Sequence, residues 1–192
     1  MNTYYINEIF YSLQGEGYHT GTAATFIRFS GCNLKCPFCD TSHENGRKMT
    51  LGQIVNTVSA NPSRLVVLTG GEPSLQADGE LIAALHEAGK FIAIETNGTR
   101  ALPEGIDWIT CSPKPEQGLP SAIKHCDELK VVYTGQDMSA YDSIDTSRHF
   151  IQPCDTQDAD TNRRLTDECI EICKTDPRWR LSLQTHKLIG FR

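Results

Sequence analysis

Ser30-Gly31-Cys32-Asn33-Leu34-Lys35-Cys36-Pro37-Phe38-Cys39-Asp40-Thr41 is the stretch from which the rest of this chain is read. Its three cysteines follow the spacing C-x3-C-x2-C, with Phe38 directly before the third. Thiolates this dense on one loop can wrap three corners of a four-iron cluster, since such clusters are held by cysteine. Three ligands for four irons leave one iron open, and an open position is where a metal site takes substrate. Two plainer readings stand beside this one. His43 lies four residues after Cys39, so Cys32, Cys36, Cys39 and His43 also make a Cys3His zinc set. A disulfide is the weaker of the two, because C-x2-C without a secretion signal reads as metal or redox chemistry.

The chain as a whole narrows the choice. With 192 residues and 39% hydrophobic content it can bury a substantial core as one domain, spanning 1–192 with the cysteine loop at 30–41. A net charge of −6 and the lack of a basic run argue against a nucleic-acid or membrane surface. Met1 to Glu8 has neither a basic start nor an apolar core, so no signal peptide is expected. No apolar run approaches membrane-spanning length. Eight cysteines in such a chain suggest a reducing cytoplasm, where thiols serve as ligands or core residues.

In order along the chain, Tyr4–Ile6 and Ile9–Tyr11 read as a short strand pair, followed by Leu13-Gln14-Gly15-Glu16-Gly17, where two glycines flank an acid. Thr25 to Phe29 alternates apolar residues with Arg28 and runs into the cysteine loop. An arginine so placed is a candidate carboxylate clamp, or else one half of a surface salt bridge. Thr50-Leu51-Gly52-Gln53 reads as a capping box opening a helix through Ala60. The run from Arg64 to Thr69 predicts a strand buried on both faces and ending in Gly70-Gly71-Glu72-Pro73. Leu81, Ile82, Leu85 and Ala88 recur at helical spacing, with Gly89 as the stop.

Further strands are expected at 91–95, 106–111, 128–133 and 149–151, then an amphipathic helix over 161–174 and a last strand over 179–184. Strands alternating with crossovers predict a mostly parallel α/β sheet with helices outside. The polar motifs fall at C-terminal strand ends, where βα barrels and α/β sheets place their sites. A structural zinc module has no need of so many polar motifs on one rim, which favours iron–sulfur chemistry.

Together these stretches resemble the radical S-adenosylmethionine (SAM) superfamily, and within it the 7-carboxy-7-deazaguanine synthase family of queuosine biosynthesis, a tRNA-modification pathway. The resemblance runs nearly end to end. It includes Leu13 to Gly17, Phe26-Ile27-Arg28, the cysteine loop, Gly70 to Pro73 and Glu95-Thr96-Asn97-Gly98-Thr99. It continues through Ser112-Pro113-Lys114, Gln152-Pro153 and Trp179 to Lys187. It implies a partial, open βα barrel with a short N-terminal strand extension. It implies a lyase that converts 6-carboxy-5,6,7,8-tetrahydropterin to 7-carboxy-7-deazaguanine with loss of ammonia, using a SAM-derived radical.

By that resemblance Cys32, Cys36 and Cys39 ligate a [4Fe–4S] cluster, and Thr41 is the protein ligand of Mg2+. Phe38, Cys39, Asp40, Gly71, Glu72, Gly98, Ser112, Pro113, Lys114 and Gln152 would hold SAM, with Glu72 accepting from its ammonium. Leu13, Gln14, Gly15, Glu16, Arg28 and Thr96 would hold the pterin, with Arg28 on its carboxylate. A flavodoxin-type electron donor and a homodimer are the implied partners, and the location is cytoplasmic. A glycyl-radical activase with the same cysteine spacing is the nearest rival, and a Cys3His zinc module is the rival outside enzymes. Cys111, Cys126, Cys154, Cys169 and Cys173 read as buried thiols. His186 either faces the site or caps the last strand.

Overall fold

Strand side chains alternate between faces, so each strand here presents one apolar set to covering helices and a second set to an interior. The structure is a computed structural model and describes residues 2–192. Its strands are β1 (Thr3–Leu13), β2 (Ala23–Phe29), β3 (Arg47–Thr50), β4 (Leu65–Gly70), β5 (Phe91–Thr96), β6 (Trp108–Cys111), β7 (Glu128–Tyr133), β8 (His149–Pro153) and β9 (Trp179–Leu181). They form one sheet in the order β3-β1-β2-β4-β5-β6-β7-β8-β9. Neighbours are parallel from β2 through β9, whereas β1 runs antiparallel to both β2 and β3. β3 and β9 remain at opposite edges, which leaves the barrel open.

Three helices cover the outside. In α1 (Leu51–Ser59) the expected capping box is present, with Thr50 and Gln53 satisfying each other's backbone N–H. Ile54 and Val58 of α1 and Leu81, Ile82 and Leu85 of α2 (Gly79–Glu87) bury against Ile27, Phe29, Val66, Leu68, Ile92 and Ile94. Leu165 and Cys169 of α3 (Ala159–Thr175) pack with Leu129, Val131 and Ile151. Between β5 and β8 the crossovers carry nothing longer than a 3-10 turn, so helical cover is thinner there than strict alternation predicts.

Two expectations are corrected. The N-terminal pair is one strand of eleven residues, paired with β3 through its first half and with β2 through its second. Its register shifts between Ile6 and Glu8, so Asn7-Glu8 marks a bulge and not a turn. The last strand ends at Leu181, and α4 (Thr185–Ile189) follows. The N–H and the hydroxyl of Thr185 both donate to the Gly15 carbonyl, at 3.0 and 2.8 Å, and this draws the tail off the sheet edge.

The loop between β1 and β2 folds under the barrel as its floor. Tyr18 stacks on Trp108 with ring centres 4.8 Å apart, His19 meets the Trp108 edge, and the Arg148 guanidinium lies 4.9 Å from both the Tyr18 and Trp108 rings. Gly17 N–H donates to Ser182 Oγ at 3.0 Å and Tyr18 N–H to Glu128 Oε2 at 3.2 Å. Burial raises the Glu128 carboxyl above its ordinary range. Gly17 has a φ of +63°, and a Cβ there would run into Glu128 Oε1. Gly17→Ala should therefore lower stability by more than about 1 kcal/mol, read as a lower urea midpoint at unchanged slope.

Candidate active site

Alternation carries the inner face from apolar at the floor to polar above it. Phe26, Val67, Ala93 and Trp108 pack together below. Two residues further along, Arg28 on β2, Thr69 on β4 and Glu95 on β5, joined by Lys130 on β7 and Gln152 on β8, line a cavity of about 590 Å³. Lys130 is only 5% exposed. Its Nζ lies 2.6 Å from Glu16 Oε2 and 3.4 Å from Glu95 Oε1. Burial opposes the Glu16 charge, but Lys130 and Gln184 hold its carboxyl down at about 2. Burial likewise opposes the Lys130 cation, and Glu16, Glu95 and Glu128 together hold it well above the ordinary lysine value. Glu95 Oε1 also accepts from Gln14 Nε2 at 2.9 Å, and its Oε2 accepts from Thr69 Oγ1 at 3.1 Å.

The cysteine loop lies over this ring. Cys32, Cys36 and Cys39 all border the cavity, and Cys39 N–H donates to the Cys36 carbonyl at 3.1 Å. Burial pushes the Cys32 and Cys36 thiols up, and the nearby Lys114 cation pulls Cys36 part of the way back. Among the described residues no three His, Cys, Asp or Glu side chains converge on a point that would hold a single ion. Cys32, Cys36 and Cys39 share one cavity wall, as three ligands of a cluster must. Leu34 N–H at 3.4 Å from Cys32 Sγ is a donor of the sort that tunes cluster sulfurs.

Strand ends hold the loop in place. Glu72 N–H donates to the Gly31 carbonyl at 2.8 Å, and a Cβ on Gly71 would collide with that same oxygen. The Glu72 carboxylate is 1% exposed and accepts from Ser74 N–H, Thr96 Oγ1 and Asn97 N–H at 3.0, 2.7 and 2.7 Å. Across the mouth, Gln184 Nε2 bridges Glu16 Oε1 at 2.9 Å and Asp40 Oδ2 at 3.2 Å. Lys187 Nζ bridges Asp40 Oδ2 and Asp155 Oδ2, at 2.8 and 3.0 Å.

The cavity gathers nearly all the residues singled out from sequence: Leu13, Gln14, Gly15, Glu16, Arg28, Phe38, Asp40, Thr41, Gly71, Glu72, Thr96, Ser112, Lys114 and Gln152 border it with the three cysteines. Gly98 and Pro113 are not among its lining residues. Gly98 instead packs on Cys111, and its carbonyl accepts from Ala122 N–H. Arg28 Nε donates to Glu8 at 2.9 Å, while its terminal nitrogens have no protein partner among the described residues. Thr96 spends its hydroxyl on Glu72, and Lys114 donates to both oxygens of Ser112. Thr41 Oγ1 lies 3.5 Å from Asp40 Oδ1. His186 also borders the cavity, its ring against Gly15.

Sequence reading passed over Thr69, Glu95, Lys130, Gln184 and Lys187 as functional groups. Lys130 had a signal: with Glu128 it is one of two charges at alternate positions of the otherwise apolar strand from Glu128 to Tyr133. The others sit in quoted motifs, but only the register shows what they face. Gly71→Ala should displace the cysteine loop and lower iron and sulfide content after reconstitution, with the fold retained by circular dichroism.

Comparisons agree with this geometry. Residues 26–113 match the family described as the radical SAM superfamily. The chain is 60% identical over 187 residues to 7-carboxy-7-deazaguanine synthase of Bacteroides thetaiotaomicron, covering 97% of this chain and 98% of that protein. It is 43% identical to 7-carboxy-7-deazaguanine synthase of Caulobacter vibrioides, covering 98% and 99%. The crystal structure of QueE from Escherichia coli superposes with a TM-score of 0.74 at 29% identity, covering 96% of this chain and 95% of that one. The chain belongs to the 7-carboxy-7-deazaguanine synthase family of the radical SAM superfamily.

Proposed function

We propose that this cavity converts 6-carboxy-5,6,7,8-tetrahydropterin to 7-carboxy-7-deazaguanine with loss of ammonia, by the family's radical SAM chemistry. The observation that carries the reading is the meeting of three thiols, a free arginine fork and a buried acid–lysine ring on one cavity. Cys32, Cys36 and Cys39 would hold a [4Fe–4S] cluster, which together with SAM would supply a carbon-centred oxidant able to take one hydrogen atom from the substrate. Everything else falls to the chain.

Arg28 is held by Glu8 through Nε alone, so its terminal N–H groups are free for a carboxylate in fork geometry. Gln14, Glu16 and Glu95 offer amide and carboxylate oxygens to the N–H groups of a pterin ring. Gln152 Oε1 is taken by Ser182 at 2.9 Å, which leaves its amide N–H2 for a nucleoside hydroxyl. Beneath the site the buried Phe26 and Trp108 close the interior with apolar surface, which would limit the water that a radical reaction must avoid. Thr41 and Asp40 present hard oxygens, the ligand type that suits Mg2+ when waters and substrate complete its shell.

In this reading residues 1–192 act as one domain, because a single sheet runs unbroken from β3 to β9. The open edge between those strands leaves room for a second copy of the chain, and the exposed Cys39 offers a route for an electron from a flavodoxin-type donor. The cytoplasmic place of work in this reading comes from the family resemblance; among the described residues no helix is long and apolar enough to cross a membrane.

Anaerobic turnover tests the reading. Reconstituted, reduced protein supplied with SAM, Mg2+ and the carboxypterin should give 7-carboxy-7-deazaguanine by mass spectrometry, and Cys36→Ala should give none. 5′-Deoxyadenosine without deazaguanine would leave the radical SAM assignment standing and remove the substrate. Arg28→Ala should raise KM for the carboxypterin by about ten- to a hundredfold, the worth of a charge-assisted hydrogen bond, with cluster content unchanged.

A further inference from the structure

We infer that Lys130 is a positioning residue that fixes ring specificity: it keeps Glu16 and Glu95 as adjacent acceptors that read the donor edge of a 2-amino-4-oxo ring. This rests on the carboxypterin reading above. Both carboxylates touch the same buried nitrogen, at 2.6 and 3.4 Å, and both border the cavity. Each is held from a second side. Gln184 Nε2 donates to Glu16 Oε1, while Gln14 Nε2 and Thr69 Oγ1 donate to Glu95. The backbone N–H of Glu16 in turn donates to Gln14 Oε1 at 3.2 Å, which ties the two acids into one frame.

An ionised carboxylate accepts only, and offers about four lone-pair sites. Glu16 and Glu95 keep sites in hand after these contacts. A ring N–H beside an exocyclic amino group presents two parallel donors, which such acceptors match. Two carboxylates this close in a buried site do not both stay ionised without a cation, because each disfavours the charge of the other. Without Lys130 one of them takes a proton and turns from acceptor to donor toward that edge. The remaining charged or titratable groups facing this cluster are Glu128 on β7, Asp40 on the cysteine loop, His186 on α4 and Lys114 beyond β6. Arg28 and its partner Glu8 lie on the same cavity.

The test compares wild type, Lys130→Met and Lys130→Arg. It reads cluster content, equilibrium binding of the carboxypterin and turnover across neutral pH, each with the 2-amino ring and with an analogue carrying oxygen at that position. Lys130→Met should raise KM and the dissociation constant about ten- to a hundredfold at pH 7, with a smaller change in kcat. The loss should shrink as pH rises, because base ionises the carboxyl that the lysine no longer holds charged, and wild type should lack this ionisation. Preference for the 2-amino ring should fall by a similar factor, and Lys130→Arg should restore both profile and preference.

Should Lys130→Met fail to hold its cluster, Glu95→Gln removes one acceptor and leaves the lysine in place. It should lose the same ring preference. A KM loss that does not vary with pH, or an intact ring preference in the folded variants, overturns the inference while wild-type turnover keeps the proposed function. Wild type that neither binds nor converts the carboxypterin overturns both.

Discussion

One buried carboxylate fixes the geometry on which everything else depends. Glu72 follows the two glycines at the end of β4; its backbone N–H grips the cysteine loop at Gly31 and its oxygens grip the end of β5 at Thr96 and Asn97. Three segments far apart in sequence are thus tied within a single hydrogen-bonded unit. The ties are demanding, because an acceptor this deeply buried costs its full desolvation when a partner is lost. Gly70 and Gly71 are part of the same constraint. Gly70 adopts a φ of +116°, and the Gly71 backbone lies so near Gly31 that no side chain fits between them. The family resemblance casts Glu72 as an acceptor for the SAM ammonium; in the structure three acceptor contacts go to the protein first, so any such contact would use what capacity remains.

Below that seam the barrel solves an electrostatic problem. Acidic side chains outnumber basic ones in the chain, and three of them, Glu16, Glu95 and Glu128, crowd one lysine inside the sheet. Glu128, the deepest, has a buried Oε1 with no partner, and burial raises its carboxyl. Lys130 satisfies the other two. The sign of this arrangement follows from linkage. The depressed Glu16 carboxyl contributes stability that is complete above the unfolded carboxylate value and is lost as pH falls toward about 2. The raised Lys130 contributes stability that is complete below the unfolded lysine value and is lost only as pH climbs past it. Around neutral pH both contributions are in force.

How much of this could be read beforehand depended on how local each signal was. The cysteine loop, the Gly-Gly-Glu-Pro turn and the capping box at Thr50 are contiguous, and each carries its own chemistry in its spacing. Arg28 was legible because it breaks an apolar alternation on the strand entering the loop. Lys130 breaks an apolar run in the same manner, yet its meaning comes from Glu16 on the floor loop and Glu95 on β5, which only strand register brings together. The tail shows the same limit. Its residues were quoted as a motif, but α4 exists because Thr185 hydrogen-bonds to Gly15, 170 residues earlier. The β1 bulge and strand β3 were hidden because the pattern there is weak: β1 alternates cleanly only up to Ile6, and β3 is a four-residue edge strand with Met49 as its one buried residue.

Iron and sulfide analysis of protein reconstituted without oxygen tests the central claim most directly. The account predicts about four irons and four sulfides per chain, lost together when any one of Cys32, Cys36 and Cys39 is replaced by alanine. Tightly bound zinc without sulfide, dependent on His43 as much as on the cysteines, would contradict it.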